Sequence, residues 1–316
     1  MMKNWLAAGA VALSVGMTGT AAFAQTTTVP GEQVGLAVGA PLPEGVYALN
    51  TFLYRSPDVS PVDVGINIPI LLWSTPWKIL DARVELAVAP PTVFSFGRGR
   101  NGAALDTSIN VGTFVGGIFA WDLGNNVGVS YLAGVYLNEL NAGRGCGIGC
   151  LPILSSNTYR QGFAISYTGD GWNLTANLTY NFYDTPSSFS GGFFPAGGAL
   201  RRGPYAPSDA LNLDLTATKK FGKWEIGAIG YGTTDLSNTS RFSPVALGGA
   251  RQGYFALGGL IGYDFGPFTV QGYAARHIVN RVAGAEATEG WFRVIAPLYT
   301  VAAAPAPAPA PLIRKY

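Results

Sequence analysis

From Trp172 to Asp184 the chain reads W-N-L-T-A-N-L-T-Y-N-F-Y-D. Trp172, Leu174, Ala176, Leu178, Tyr180 and Phe182 fall on one side of an extended chain, and Asn173, Thr175, Asn177, Thr179 and Asn181 on the other. Successive side chains of a strand point to opposite faces, so this period of two predicts a strand. Its apolar side has aromatics at both ends and small or aliphatic residues between, the layout of a strand whose one face meets lipid and whose ends meet two headgroup layers. The opposite side is amide and hydroxyl, as suits the wall of a wet interior.

The same alternation predicts strands over 45–55, 62–74, 77–89, 107–123, 127–139, 157–168, 208–220, 224–235, 251–265, 268–278 and 288–299. Val64, Ile66, Ile68, Ile70 and Leu72 share one face of the second strand, and Pro69 on the other removes a ladder donor. Thr75-Pro76, Gly124-Asn125-Asn126, Gly169-Asp170-Gly171, Phe221-Gly222-Lys223 and Gly266-Pro267 read as tight reversals, mostly residues that tolerate positive φ. The intervening connections are long, apart from 56–61. Short and long connections in alternation predict an all-β fold, an antiparallel transmembrane β-barrel of about twelve strands, with the tight turns and both termini on the periplasmic side.

Composition agrees. Charged residues make up 12% of the 316 and mean hydropathy is positive, while beyond residue 24 no run of eighteen apolar residues exists to form a membrane helix. Lys3, the apolar run Trp5 to Val15 and Ala22-Phe23-Ala24 form a secretory signal pattern. The expected organisation is therefore signal peptide 1–24, periplasmic lead-in 25–44, outer-membrane barrel 45–300 and Ala/Pro-rich tail 301–316. That tail is a stiff extension that either lacks a partner or carries Arg314-Lys315 to an acidic or cell-wall one. Cys146 and Cys150 are the only cysteines; in an exported chain the pair is expected as a disulfide. A net charge of +2 argues against nucleic acid. Lys78, Lys219, Lys220 and Lys223 fall at the tight-turn end, whereas Arg98, Arg100, Arg144, Arg201, Arg202, Arg241 and Arg281 fall in the long connections, where an arginine collar would suit lipopolysaccharide phosphates or anionic solutes.

Charges on a spanning strand should point inward. Asp81, Arg83 and Glu85 form a candidate lumenal row, paired with Asp214, Glu225, Arg293 or one another, and Asn173, Thr175, Asn177 and Thr179 are further candidate lumen-lining residues. The 185–207 connection, with Phe189, Phe193, Phe194 and the pair Arg201-Arg202, is a candidate external gate, or else lies on the outer leaflet. His277 is the only histidine, and no G-x-S-x-G elbow, nucleotide loop or metal-ligand cluster accompanies it, so neither catalysis nor a cofactor is expected.

Pro41 to Tyr54, P-L-P-E-G-V-Y-A-L-N-T-F-L-Y, resembles the opening of the proteins named for the meta pathway of phenol degradation. Gly258 to Gly266, G-G-L-I-G-Y-D-F-G, is similar to that family's penultimate hairpin. Glu44 interrupts the family's Pro-Gly entry, and the Ala/Pro tail is additional. The resemblance implies an outer-membrane barrel associated with uptake of aromatic compounds and identifies no binding residue. The leading expectation is a channel for passive uptake of small, aromatic or hydrophobic solutes in an outer-membrane lipid setting. An outer-membrane lipid or peptide hydrolase built on His277 and a structural or adhesive barrel stand as alternatives.

Overall fold

The computed structural model describes residues 28–59, 62–97, 107–110, 112–137, 157–184, 195–196, 199–200, 208–236, 251–281 and 286–301. The signal segment, the cysteine pair, the residues Phe189, Phe193, Phe194, Arg201 and Arg202, and the Ala/Pro tail beyond Val301 lie outside them.

Twelve antiparallel strands form one closed barrel. They are β1 (Gly45–Pro57), β2 (Val62–Ile79), β3 (Ala82–Ala89 continued by Thr92–Gly97), β4 (Thr107–Asn110 continued by Thr113–Asp122), β5 (Val127–Leu137), β6 (Asn157–Tyr167), β7 (Trp172–Asp184), β8 (Ala210–Phe221), β9 (Trp224–Asp235), β10 (Gly253–Asp264), β11 (Thr269–Asn280) and β12 (Ala287–Thr300). Each pairs with its neighbour in sequence, and β1 closes the ring on β12 from Gly45 opposite Thr300 to Pro57 opposite Ala287. A two-residue ribbon, Pro195–Ala196 with Ala199–Leu200, stands apart.

The burial pattern is that of a soluble protein turned inside out. On β7, Leu174 and Leu178 are 43% and 45% exposed, while Asn177 is 5% exposed and Asp214 beside it on β8 is 6%. Leu71, Leu86, Val115, Phe163, Ile165, Ile226, Leu257, Ile261 and Phe292 continue the apolar exterior. At the tight-turn end this belt is edged by aromatics: Trp73 packs edge-on to Trp77 at 5.2 Å, Trp224 on Tyr263 at 4.7 Å, and Phe265 on Phe268 at 4.9 Å. Lys219 sits 4.8 Å above the Trp172 ring, an apolar stem with its ammonium at the interface. At the other end Tyr54 meets Phe96 and Tyr159 stacks on Phe182. An apolar band between two aromatic girdles is the surface a bilayer requires.

The turn expected at Thr75-Pro76 does not exist. β2 runs on to Ile79, and Thr75, Pro76 and Trp77 stand opposite Val84 alone as a bulge between the Ser74–Glu85 and Lys78–Arg83 pairs. The Thr75 hydroxyl ties the bulge down by donating to the Val84 carbonyl at 2.7 Å. The chain reverses instead at Leu80 (φ 50°) and Asp81 (φ 63°). No leucine signals such a turn, because its side chain disfavours the left-handed region. The other reversals use Asn125, Asn126, Asp170, Gly222 and Gly266 at positive φ, as expected.

Two substitutions probe this description. Leu80→Asn removes left-handed strain from a residue that is 86% exposed; it is expected to raise stability by about 1 kcal/mol in urea unfolding of the lipid-inserted protein. Leu178→Arg, at the middle of β7, is expected to cost about 2–4 kcal/mol in the same assay; indifference to that charge would mean the face does not meet hydrocarbon.

Candidate functional site

The lumen is occupied by the chain itself. Residues expected to form a periplasmic lead-in do not hang below the barrel: residues 28–44 descend through it, from Thr28 beside Asn181 at the long-connection end to Leu42 beside Glu85 at the tight-turn end. The reason lies in their backbone. Gly31 (φ 92°) and Gly35 (φ 82°) break any strand, and successive turns such as Glu32 N–H to the Val29 carbonyl and Ala40 N–H to the Ala37 carbonyl leave most polar groups unpaired within the segment. The barrel's inner wall supplies the partners.

Going up from the turn end, the Leu42 amide donates to Glu85 at 2.8 Å, Ser130 donates to the Val38 carbonyl at 2.7 Å, and the Gly39 amide donates to Ser166 at 2.9 Å. Gly35 donates to Thr216 and accepts from Asn173 and Gln271. The Asp214 carboxylate takes the amides of Gly31 and Gln33, at 2.8 and 3.3 Å, while Asn177 reaches the Gln33 side chain at 2.6 Å. Glu32 pairs with Arg160 at 2.5 Å, and the Thr28 hydroxyl donates to Asn181 at 2.5 Å. Apolar packing completes the hold. Val34 is fully buried against Leu53, Ile229, Tyr231, Leu260, Tyr273 and Trp291, and Leu42 rests on a cluster with Tyr47, Ile68, Leu72, Phe114 and Tyr136. Gly31 is required sterically as well: a Cβ there would stand 3.0 Å from both the Trp291 and Tyr231 rings.

Above and beside this segment lies a second network. Glu289, wholly buried, is ion-paired with Arg55, accepts a 2.5 Å hydrogen bond from Tyr231 and lies 3.1 Å from His277 Nε2. His277 stacks on Tyr254 with centroids 4.0 Å apart, and its Nδ1 faces Asn280 at 3.2 Å. Both ring nitrogens thus face wall residues, and among the described residues neither meets a serine hydroxyl, as a nucleophile relay would need.

Arg83, Glu85, Asn173, Thr175, Asn177, Thr179, Asp214, Glu225 and Arg293 sit on the inner side of the wall, but the pairings expected among them do not form. Arg83 donates to the Thr75 carbonyl at 3.0 Å, Glu85 serves Leu42, and Glu225 is bound by Thr218 at 2.6 Å and Gln271 at 3.0 Å. Asp81 is off the inner wall altogether, exposed in the β2–β3 turn, because β3 starts later than the alternation implied. Arg55, Arg160, Gln271, His277 and Glu289 belong to the interior too; their polar positions in apolar alternation were the available signal. The inward aromatics Tyr231, Tyr254, Tyr273 and Trp291 had none, since an aromatic in a barrel strand reads as a girdle residue.

A closed barrel, apolar outside and polar inside, with an irregular segment of its own chain in the lumen, defines the class: an outer-membrane-type β-barrel carrying an internal plug. Residues 55–294 match the family described as "Putative MetA-pathway of phenol degradation", and the chain belongs to that family. Among solved structures it is similar to an outer membrane channel from Pseudomonas putida F1, with 13% identity, a TM-score of 0.55 and coverage of 82% of this chain and 97% of that one. A weaker likeness, with a TM-score of 0.42 and 11% identity, links it to the NanC porin over 79% of this chain and 100% of that one. No curated protein matches it.

Glu289→Ala would leave Arg55 buried with its carboxylate gone. We expect a loss of about 3–5 kcal/mol in unfolding free energy, measured by urea denaturation in liposomes.

Proposed function

We propose that the protein is an outer-membrane channel of a Gram-negative cell that passes small aromatic or hydrophobic solutes passively, and that residues 28–44 restrict its bore. The observation carrying this reading is the plug. Its backbone is held almost entirely by hydrogen bonds and ion pairs that water can replace, inside a wall that closes on itself without it. A twelve-strand ring is too small for a wide pore and large enough for a selective one once the segment shifts. The family's tie to phenol degradation and the likeness to an outer membrane channel from Pseudomonas putida F1 support the class of solute and the mode of action. With export and cleavage after Ala24, the mature chain would begin three residues before Thr28.

In planar bilayers the full chain is expected to give small unitary conductance, and a chain lacking residues 28–40 a conductance several times larger. Liposomes carrying the full chain should also admit phenol-sized solutes faster than empty ones. Silent bilayers together with unaltered liposome uptake would refute the channel.

A further inference from the structure

Two charged side chains of the lumen are wholly buried, Glu289 and Arg293. Glu289 has Arg55, but among the described residues no carboxylate lies within ion-pair distance of Arg293. Its Nε donates to Thr51 at 2.9 Å. One terminal nitrogen holds the Val34 carbonyl at 2.6 Å and Gln271 Oε1 at 3.0 Å; the other holds the Glu32 carbonyl at 2.5 Å and the Tyr273 hydroxyl at 2.9 Å. A buried guanidinium is costly unless an anion compensates it. Here the compensating oxygens are two carbonyls, one on each terminal nitrogen, both from the plug. A carboxylate spanning a guanidinium fork presents its two oxygens in the same way.

The surroundings specify what the carboxylate would be attached to. The guanidinium lies 5.4 Å from the Tyr273 ring centre, Tyr273 stacks on Trp291 at 5.2 Å, and Tyr231 meets Trp291 edge-on at 6.0 Å. The Gly31 backbone lies against the Tyr231 and Trp291 rings, so that a Cβ there would stand 3.0 Å from each. Withdrawal of the segment would therefore uncover a cation beside an aromatic surface. It would also remove the Glu32 carboxylate from Arg160, taking away that guanidinium's ion-pair partner. Asp214 would lose the two amides it accepts, and Glu225 meets Arg293 only through Gln271, which bonds both.

We propose that Arg293 and the Tyr231–Trp291–Tyr273 cluster form a binding site for aryl carboxylates, which the plug occupies in their absence. The carbonyls of Glu32 and Val34 stand where the carboxylate oxygens bind, and Gly31 where the ring lies. This deepens the channel reading by naming a solute class, and it can be tested by binding alone. Isothermal titration of the full chain in detergent, with sodium benzoate and with benzyl alcohol at constant ionic strength, is expected to give benzoate the tighter binding by about 10-fold, as a charge-assisted contact would. Arg293→Gln should abolish that preference. Gly31→Ala, which crowds the plug off the Trp291 and Tyr231 rings without altering charge, should tighten benzoate binding. Equal affinity for the two ligands, no binding of either, or a preference that survives Arg293→Gln overturns the proposal. Should Arg293→Gln fail to fold, Gly31→Ala decides, and unchanged benzoate affinity in it overturns the site. Absent conductance in bilayers with benzoate binding intact would instead count against the channel and leave the site standing.

Discussion

Hydrocarbon offers a peptide group no hydrogen-bond partner, and this one constraint governs the molecule. Every N–H and C=O of a spanning strand must be met by a neighbouring strand, so the sheet has no tolerable edge and β1 must pair with β12. Closure then divides each strand between two solvents. With a period of two, Leu174 and Leu178 meet lipid while Asn177 and Thr179 are enclosed, and no continuous apolar run is needed. The low charge content and the polar core are two results of the same closure.

Closing the ring creates an interior that the wall's own side chains do not fill. Residues 28–44 fill it, and as irregular backbone at membrane depth they are tolerable only because Glu85, Ser166, Asp214 and Thr216 accept their amides and Ser130 and Arg293 take their carbonyls. The wall departs from its own rule at a proline seam. Between β2 and β3 the register is the same at Asn67–Thr92 and at Leu71–Val88, yet Ile68 to Ile70 do not pair with Ala89 to Pro91. Pro69, Pro90 and Pro91 meet there, and none has an N–H to give. Behind that seam lies the apolar lumenal cluster of Ile68, Tyr47, Phe114 and Tyr136, which keeps water from the interrupted ladder on the inner side.

The barrel was largely legible because its signals are local and periodic. The β7 alternation and the Gly/Asn/Asp turns follow from strand geometry and the sterics of positive φ, and they placed β7 and β9 at their observed limits. What could not be read depends on contacts distant in sequence. Leu80–Asp81 turns against its own preference because the Thr75–Trp77 bulge and the β2–β3 register force it. The lead-in looked like an exposed linker because its glycines are uninformative until Trp291 and Tyr231 are placed beside Gly31. On β2 both faces are apolar, so alternation could not say that Ile68 and Leu72 point inward and Leu71 and Trp73 outward.

The character of the contacts, more than their number, sets which part can move. Ladder bonds in the wall have no substitute in lipid, so the ring is the rigid element. The plug's bonds are made to side chains inside a polar lumen, where water or a solute can take the same positions, and its apolar anchors are essentially Val29, Val34 and Leu42. Elements held by such replaceable contacts belong to the low-stability end of a structure and are the ones that open. Arg293 bears on the same point from the other side. A carboxylate built into the wall would satisfy it permanently, whereas borrowed carbonyls from Glu32 and Val34 satisfy it only while the segment stays. A barrel shaped for stability alone would gain from the fixed partner; one in which an anion competes with the plug requires the borrowed one.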